Sequence, residues 1–207
     1  MKGLILKDFY NLSNYKKVLV FFLIFYGFFG LITGSAASMF GMIIFMSAIL
    51  TPSLFSYDEF SKWDSYALSL PVTRKNIVGA RYTVSIILVG GSAVLTVIMV
   101  MLVQLLKPDP NIHEVWLSVQ GMLTGAILFV SVITPICYKL GPEKGRIYML
   151  AAVLIPVVGI FLLKQMGVAV PTQQQVELGL SVLLLISLLC FAASYFISCR
   201  IYEKKEF

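Results

Sequence analysis

Charge is scarce in this chain. Only 13% of its 207 residues are Asp, Glu, Lys or Arg, 59% are hydrophobic, and mean hydropathy is +0.92. Soluble domains average about 25% charged and roughly 45–50% apolar residues, so the composition excludes an ordinary soluble core and points to an integral membrane protein. Histidine is nearly absent, with His113 alone, and the cysteines are Cys137, Cys190 and Cys199. None stands at metal-ligand spacing, so no metal site is expected. The cysteines lie toward the ends of apolar runs on the side expected to be reducing, which argues against a disulfide. No GxxxxGK[ST] phosphate loop occurs, and no polar stretch is long enough for a nucleotide-binding domain. The chain is therefore expected neither to hydrolyse ATP nor to hold a cofactor of its own. HExxH, a Ser/His/Asp set and acid pairs at membrane depth are missing too, which removes an intramembrane protease.

The apolar runs also lack ionisable groups in their middles. There are none between Val18 and Ser56, and Gln104 and Gln120 are the strongly polar side chains of the third and fourth runs. Charges at membrane depth are costly and usually mark proton relays or ion sites. Their absence argues against a proton-coupled transporter and against a channel with a charged filter. Energy for any pumping must come from outside the chain.

What is present is six apolar runs: Val18–Gly34, Ala36–Ser56, Tyr82–Leu106, Val115–Tyr138, Ile147–Leu163 and Val176–Cys199. Each is near the ~20 residues a helix needs to cross the hydrocarbon. They are continuous rather than alternating, which favours helices over a barrel. The expected fold class is all-α: a polytopic membrane protein with six transmembrane helices in a single domain, residues 1–207. The first run reads as an uncleaved span, because Met1–Lys17 is too long and mixed for a signal-peptide n-region. Of the 16 basic residues, all but Lys107 and Lys164 fall on one side of this arrangement, which places both termini in the cytoplasm. Gly30-x-x-x-Gly34, Gly121-x-x-x-Gly125 and Gly90–Gly91–Ser92 offer faces for close helix packing. Pro52, Pro135 and Pro156 are expected to kink their helices.

Two amphipathic pieces interrupt the apolar pattern. Between the second and third runs, residues 57–81 carry Asp58, Glu59, Lys62, Asp64, Arg74, Lys75 and Arg81. Phe60, Trp63, Ala67 and Leu70 recur at helical spacing beside Tyr66. Asp58 and Glu59 suit a helix N-terminus, Pro71 ends the helix at Leu70, and Thr73 can cap the next one. The segment reads as a surface helix, a Leu-Pro turn and a basic shoulder of Arg74 and Lys75. It either anchors the loop through aromatic residues and cations facing anionic lipid, or docks a cytoplasmic protein. At the N-terminus, Ile5, Phe9 and Leu12 share a face, with Lys2, Lys7 and Asp8 as its polar complement. Residues 1–15 are expected to form an interfacial helix.

The stretches MKGLILKDFY (Met1–Tyr10) and DEFSKWDSYALSLPVTRKNIVGARY (to Tyr82), with LPVTRKNIVGARY the more specific, resemble the permease subunits of the ABC-transporter type 2 exporter family, particularly short bacterial members with six spans. The resemblance implies that Asp58–Leu70 is a coupling helix docking an ATP-binding cassette subunit through Asp58, Glu59, Phe60, Trp63, Tyr66 and Leu70. It implies a second permease copy or a related permease, with ATP and Mg bound by the partner ATPase. Lys139–Arg146 is a possible second contact with that ATPase. Membrane lipid is an expected partner and nucleic acid is not. The pathway would carry a hydrophobic or amphipathic peptide, lipid or drug, with Phe25, Phe29, Met42, Phe45 and Met46 as candidate lining that could equally face lipid. The rival reading is a non-transporting scaffold or sensor that docks a cytoplasmic partner. A lipid-modifying enzyme lacks a polar catalytic cluster.

Overall fold

The structure, a computed structural model, describes residues 2–33, 36–63, 66–67, 71–105, 112–166 and 173–205. The elements are α1 (Lys2–Leu12), a 3-10 turn (Ser13–Tyr15), α2 (Lys16–Thr33), α3 (Ala36–Phe60), α4 (Arg74–Leu105), α5 (Ile112–Gln165) and α6 (Gln173–Lys204). Among the described residues, five helical stretches are long and apolar enough to cross a membrane: Lys2–Gly30, Met39–Phe60, Arg74–Leu105, Val115–Gly159 and Gln173–Lys204.

The fourth and fifth apolar runs lie together in α5, which continues through Pro135 and Pro156 and breaks at Gly141 (φ 79°, ψ 167°). That left-handed φ suits glycine, which has no Cβ to clash. Pro142 follows, where its fixed φ and missing N–H fit a first helical position. The chain reverses here. On a straight helix Cys137 and Gly145 would be about 12 Å apart, yet a Cβ on Gly145 would lie 2.8 Å from Cys137 Sγ. Rings give the same direction: Phe45 meets Phe129 and Phe55 meets Tyr138, so the first arm runs parallel to α3. Met149 then lines a cavity with Ile49, so the second arm climbs back. The expected connection Lys139–Arg146 is thus corrected: helix flanks a single-residue break.

α3 is the central element. Ile44, Ala48 and Leu54 are fully buried, and α3 packs on α2, α4 and α5, while α6 closes over α4 and α5. Hydroxyls stitch these apolar faces. Ser47 Oγ lies 2.8 Å from Ser92 Oγ, Thr51 donates to Ser85 at 3.3 Å, and Thr96 donates to the Phe40 carbonyl at 3.1 Å. Tyr82 Oη lies 2.6 Å from Ser194 Oγ and 2.8 Å from Ser198 Oγ, and Ser194 donates to the Ser131 carbonyl at 2.6 Å. In hydrocarbon such bonds hold helices together where apolar contact gives no preference over lipid. Gly41 lets α3 approach α5 closely: its Cβ would sit 2.9 Å from Met122 Cγ. Gly121 is only in ordinary contact distance of Leu180, Gly125 faces open space, and Gly34 lies outside the described residues.

Candidate functional site

α1, the end of α3, the start of α4, the Gly141 break and the end of α6 converge at one end of the bundle, here called the base. Its centre is a cluster of two cations and two anions. Lys7 Nζ lies 2.5 Å from Asp58 Oδ1 and 3.3 Å from Asp8 Oδ1; Arg81 Nη1 lies 3.1 Å from Asp8 Oδ2, and Arg81 Nη2 also pairs with Asp58 Oδ2. Asp8 is 3% exposed, Arg81 4% and Asp58 7%. Charges buried to this degree persist only when paired. The Arg81 guanidinium also sits 4.8 Å from the Phe55 ring, and Lys7 Nζ sits 4.3 Å from the Trp63 ring, adding cation–π attraction. A cavity of 70 Å³ beside the cluster is lined by Asp58, Arg81, Cys137 and Gly141, which brings the α5 break against the same charges.

Three local features build this site. Leu4, Asp8 and Leu12 are the buried residues of α1, and at four-residue spacing they form one stripe. Asp8 therefore belongs to the inward face, not to the polar complement expected for it. α3 runs past Ser56 to Phe60, so Asp58 and Glu59 stand in its last turns rather than at the N-terminus of a new helix. The physical reason is the partners: Asp58 turns inward to Lys7 and Arg81, which offset its desolvation. α3 stops where Lys62 takes a left-handed φ of 49° and its N–H reaches the Glu59 carbonyl at 3.1 Å, a helix-ending geometry. Thr73 caps α4 as expected, with the Asn76 N–H donating to Thr73 Oγ1 at 3.3 Å.

The remaining expected docking residues divide. Phe60 projects outward, 95% exposed. Tyr66 is exposed and its ring lies 5.4 Å from that of the half-buried Trp63. Glu59 is exposed and approaches the α5 break, its Oε1 3.6 Å from where a Gly141 Cβ would be. Asp64 and Leu70 lie outside the described residues. Pro71 is exposed in the bend before α4.

The basic shoulder has a structural task. Arg74 Nη1 donates to the carbonyls of Tyr202 (3.0 Å), Glu203 (2.7 Å) and Lys205 (2.9 Å). A cation at a helix C-terminus meets orphan carbonyls and the negative end of the dipole. Lys75 adds a bridge to Glu203 at 3.7 Å. Arg81, expected from the sequence among the cations facing anionic lipid, is instead the buried centre of the ion cluster.

The candidate pathway residues are not gathered at one place. Phe25 and Phe29, with ring centroids 4.7 Å apart, lie on the exposed face of α2, and Met42 is also exposed. Phe45 packs 5.4 Å from Phe129, and Met46 is half-buried.

A family model described as ABC-2 family transporter protein matches residues 3–203. Curated proteins and solved structures gave no match. The family match takes in the ion cluster and all but the outermost residues of the apolar helices, and on that ground the chain belongs to the ABC-2 transporter family and is a multi-pass membrane protein.

Proposed function

We propose that this chain is the membrane half of an exporter driven by a separate cassette ATPase. The two arms of α5 each cross the bilayer, giving six crossings with both termini and the base in the cytoplasm. Exported cargo is hydrophobic or amphipathic, and a second permease, identical or related, completes the pathway. ATP and Mg are handled by the ATPase. The observation that carries this reading is Phe60: it is 95% exposed at the tip of the most deeply packed helix, one turn from the buried ion cluster. An exposed aromatic at the end of a rigid rod is suited to a pocket on a moving partner. Force applied there travels along α3, while the cluster ties α3 to α1 and α4 so that they move together.

Phe60→Asp is expected to weaken co-purification of the ATPase about 30-fold, as loss of an aromatic anchor does, and to abolish substrate-stimulated ATPase activity. Membrane insertion should be unchanged. Normal coupling in this variant would refute the docking role.

A further inference from the structure

The outer face between α4 and α6 carries three hollows in a line. The one nearest the base has a volume of 570 Å³ and is bordered by Lys75, Arg200 and Glu203. The next, 490 Å³, shares Tyr195 and Phe196 with it. The third, 240 Å³, shares Ile86 and Phe191 with the second and ends at Gly90 and Leu188. The hollows therefore form one groove, charged at the base and apolar beyond. Exposed Ile86, Leu188, Phe196 and Ile197 keep it open along its side.

Its length fits one leaflet. Lys75 and Gly90 are on the same helix, so the groove runs about 22 Å along α4. Half a bilayer, headgroups included, is roughly 20–22 Å. The charge fits as well. Lys75 bridges Glu203 at 3.7 Å while its side chain stays 70% exposed. That pair is neutral, and exposed Arg200 leaves the mouth of the groove positive. A cation at headgroup level above an apolar cleft one leaflet deep matches an anion with a long hydrocarbon tail.

We propose that this groove holds an anionic phospholipid of the leaflet at the base, with its phosphate at Lys75 and Arg200 and an acyl chain laid past Phe191 to Gly90. The proposal rests on the chain's crossing a membrane and is independent of the exporter reading, since Phe60 is not part of the groove.

The test is a native mass-spectrometric titration of the full chain in mild detergent. Phosphatidylglycerol is compared with phosphatidylcholine of the same chains, with inorganic phosphate as competitor. Phosphatidylglycerol should bind more tightly. Lys75→Ala with Arg200→Ala should weaken it about 30-fold, as expected for removing two cations that face an anionic headgroup, and leave phosphatidylcholine little changed. Gly90→Leu should weaken both lipids about tenfold by filling the cleft. A Cβ at Gly90 meets nothing within 4 Å, so this variant adds bulk to the groove without a clash at that atom. Equal binding of the two lipids, or wild-type binding in both variants, overturns the proposal. So does displacement by inorganic phosphate at millimolar level, which would mark a free-anion site. A dimer that Gly90→Leu dissociates, with lipid binding intact, would give the groove to a second copy instead.

Discussion

Acid–base contacts occur at both ends of the bundle, and they are built differently. At the base, Lys7, Asp8, Asp58 and Arg81 pair across α1, α3 and α4, with side chains only 4–10% exposed for Asp8, Asp58 and Arg81. At the opposite end His113 Nε2 lies 2.7 Å from Glu177 Oε1, with side chains 49% and 41% exposed. The shorter list of partners is on the exposed side, where water can replace either one. A buried neutral set has no such substitute, so its members hold or fail together. The base is therefore the end where helices are bound to one another's position.

That contrast is broken most directly at Arg81. Arg81→Met leaves Asp8 and Asp58 buried with Lys7 alone, and about 3–5 kcal/mol of stability should be lost. Adding Asp58→Asn restores charge balance, so the double variant should unfold at a higher temperature in detergent than Arg81→Met. Strict addition of the two single losses would mean there is no coupled cluster. A smaller effect is expected from Arg74→Ala, which strips three carbonyls at the end of α6 of their donor. About 1.5–3 kcal/mol should be lost locally, seen as faster amide exchange near residue 202 with little change in the global melt. His113→Ala should be the mildest, below ~1 kcal/mol, as for other exposed pairs. A melting shift as large as that of Arg81→Met would erase the distinction between the two ends.

The apolar runs were readable because hydrophobic length is a local property. α3 and α6 contain the runs expected for them, α2 and α4 contain theirs except Gly34 and Leu106, which lie outside the described residues, and Thr73 caps α4 by a rule that spans three residues. The ion cluster was not readable in the same way. Asp58 and Arg81 lie 23 positions apart and Asp8 lies far from both, so no window of the sequence shows them together. The polar string Ser56–Glu59 looks like the end of a span, yet α3 continues because Asp58 has buried partners. One local signal was available: Asp8 falls between Leu4 and Leu12 at four-residue spacing, an acid placed within an apolar stripe. The α5 break was half legible. Gly141–Pro142 marks it, but the charges around it suggested a longer loop.

Arg74 sits 128 residues before the first carbonyl it holds. At ~5–20 residues per second, a ribosome needs about 6–26 s to cover that distance. Through that interval the bonds from Arg74 to the end of α6 cannot form, and Thr73 alone of these two neighbours can act on the start of α4. Asp8 waits too, until Arg81 is made. Closure thus follows synthesis: the ion cluster can form once Arg81 is made, and the final latch shuts only after Tyr202–Lys205 have left the ribosome.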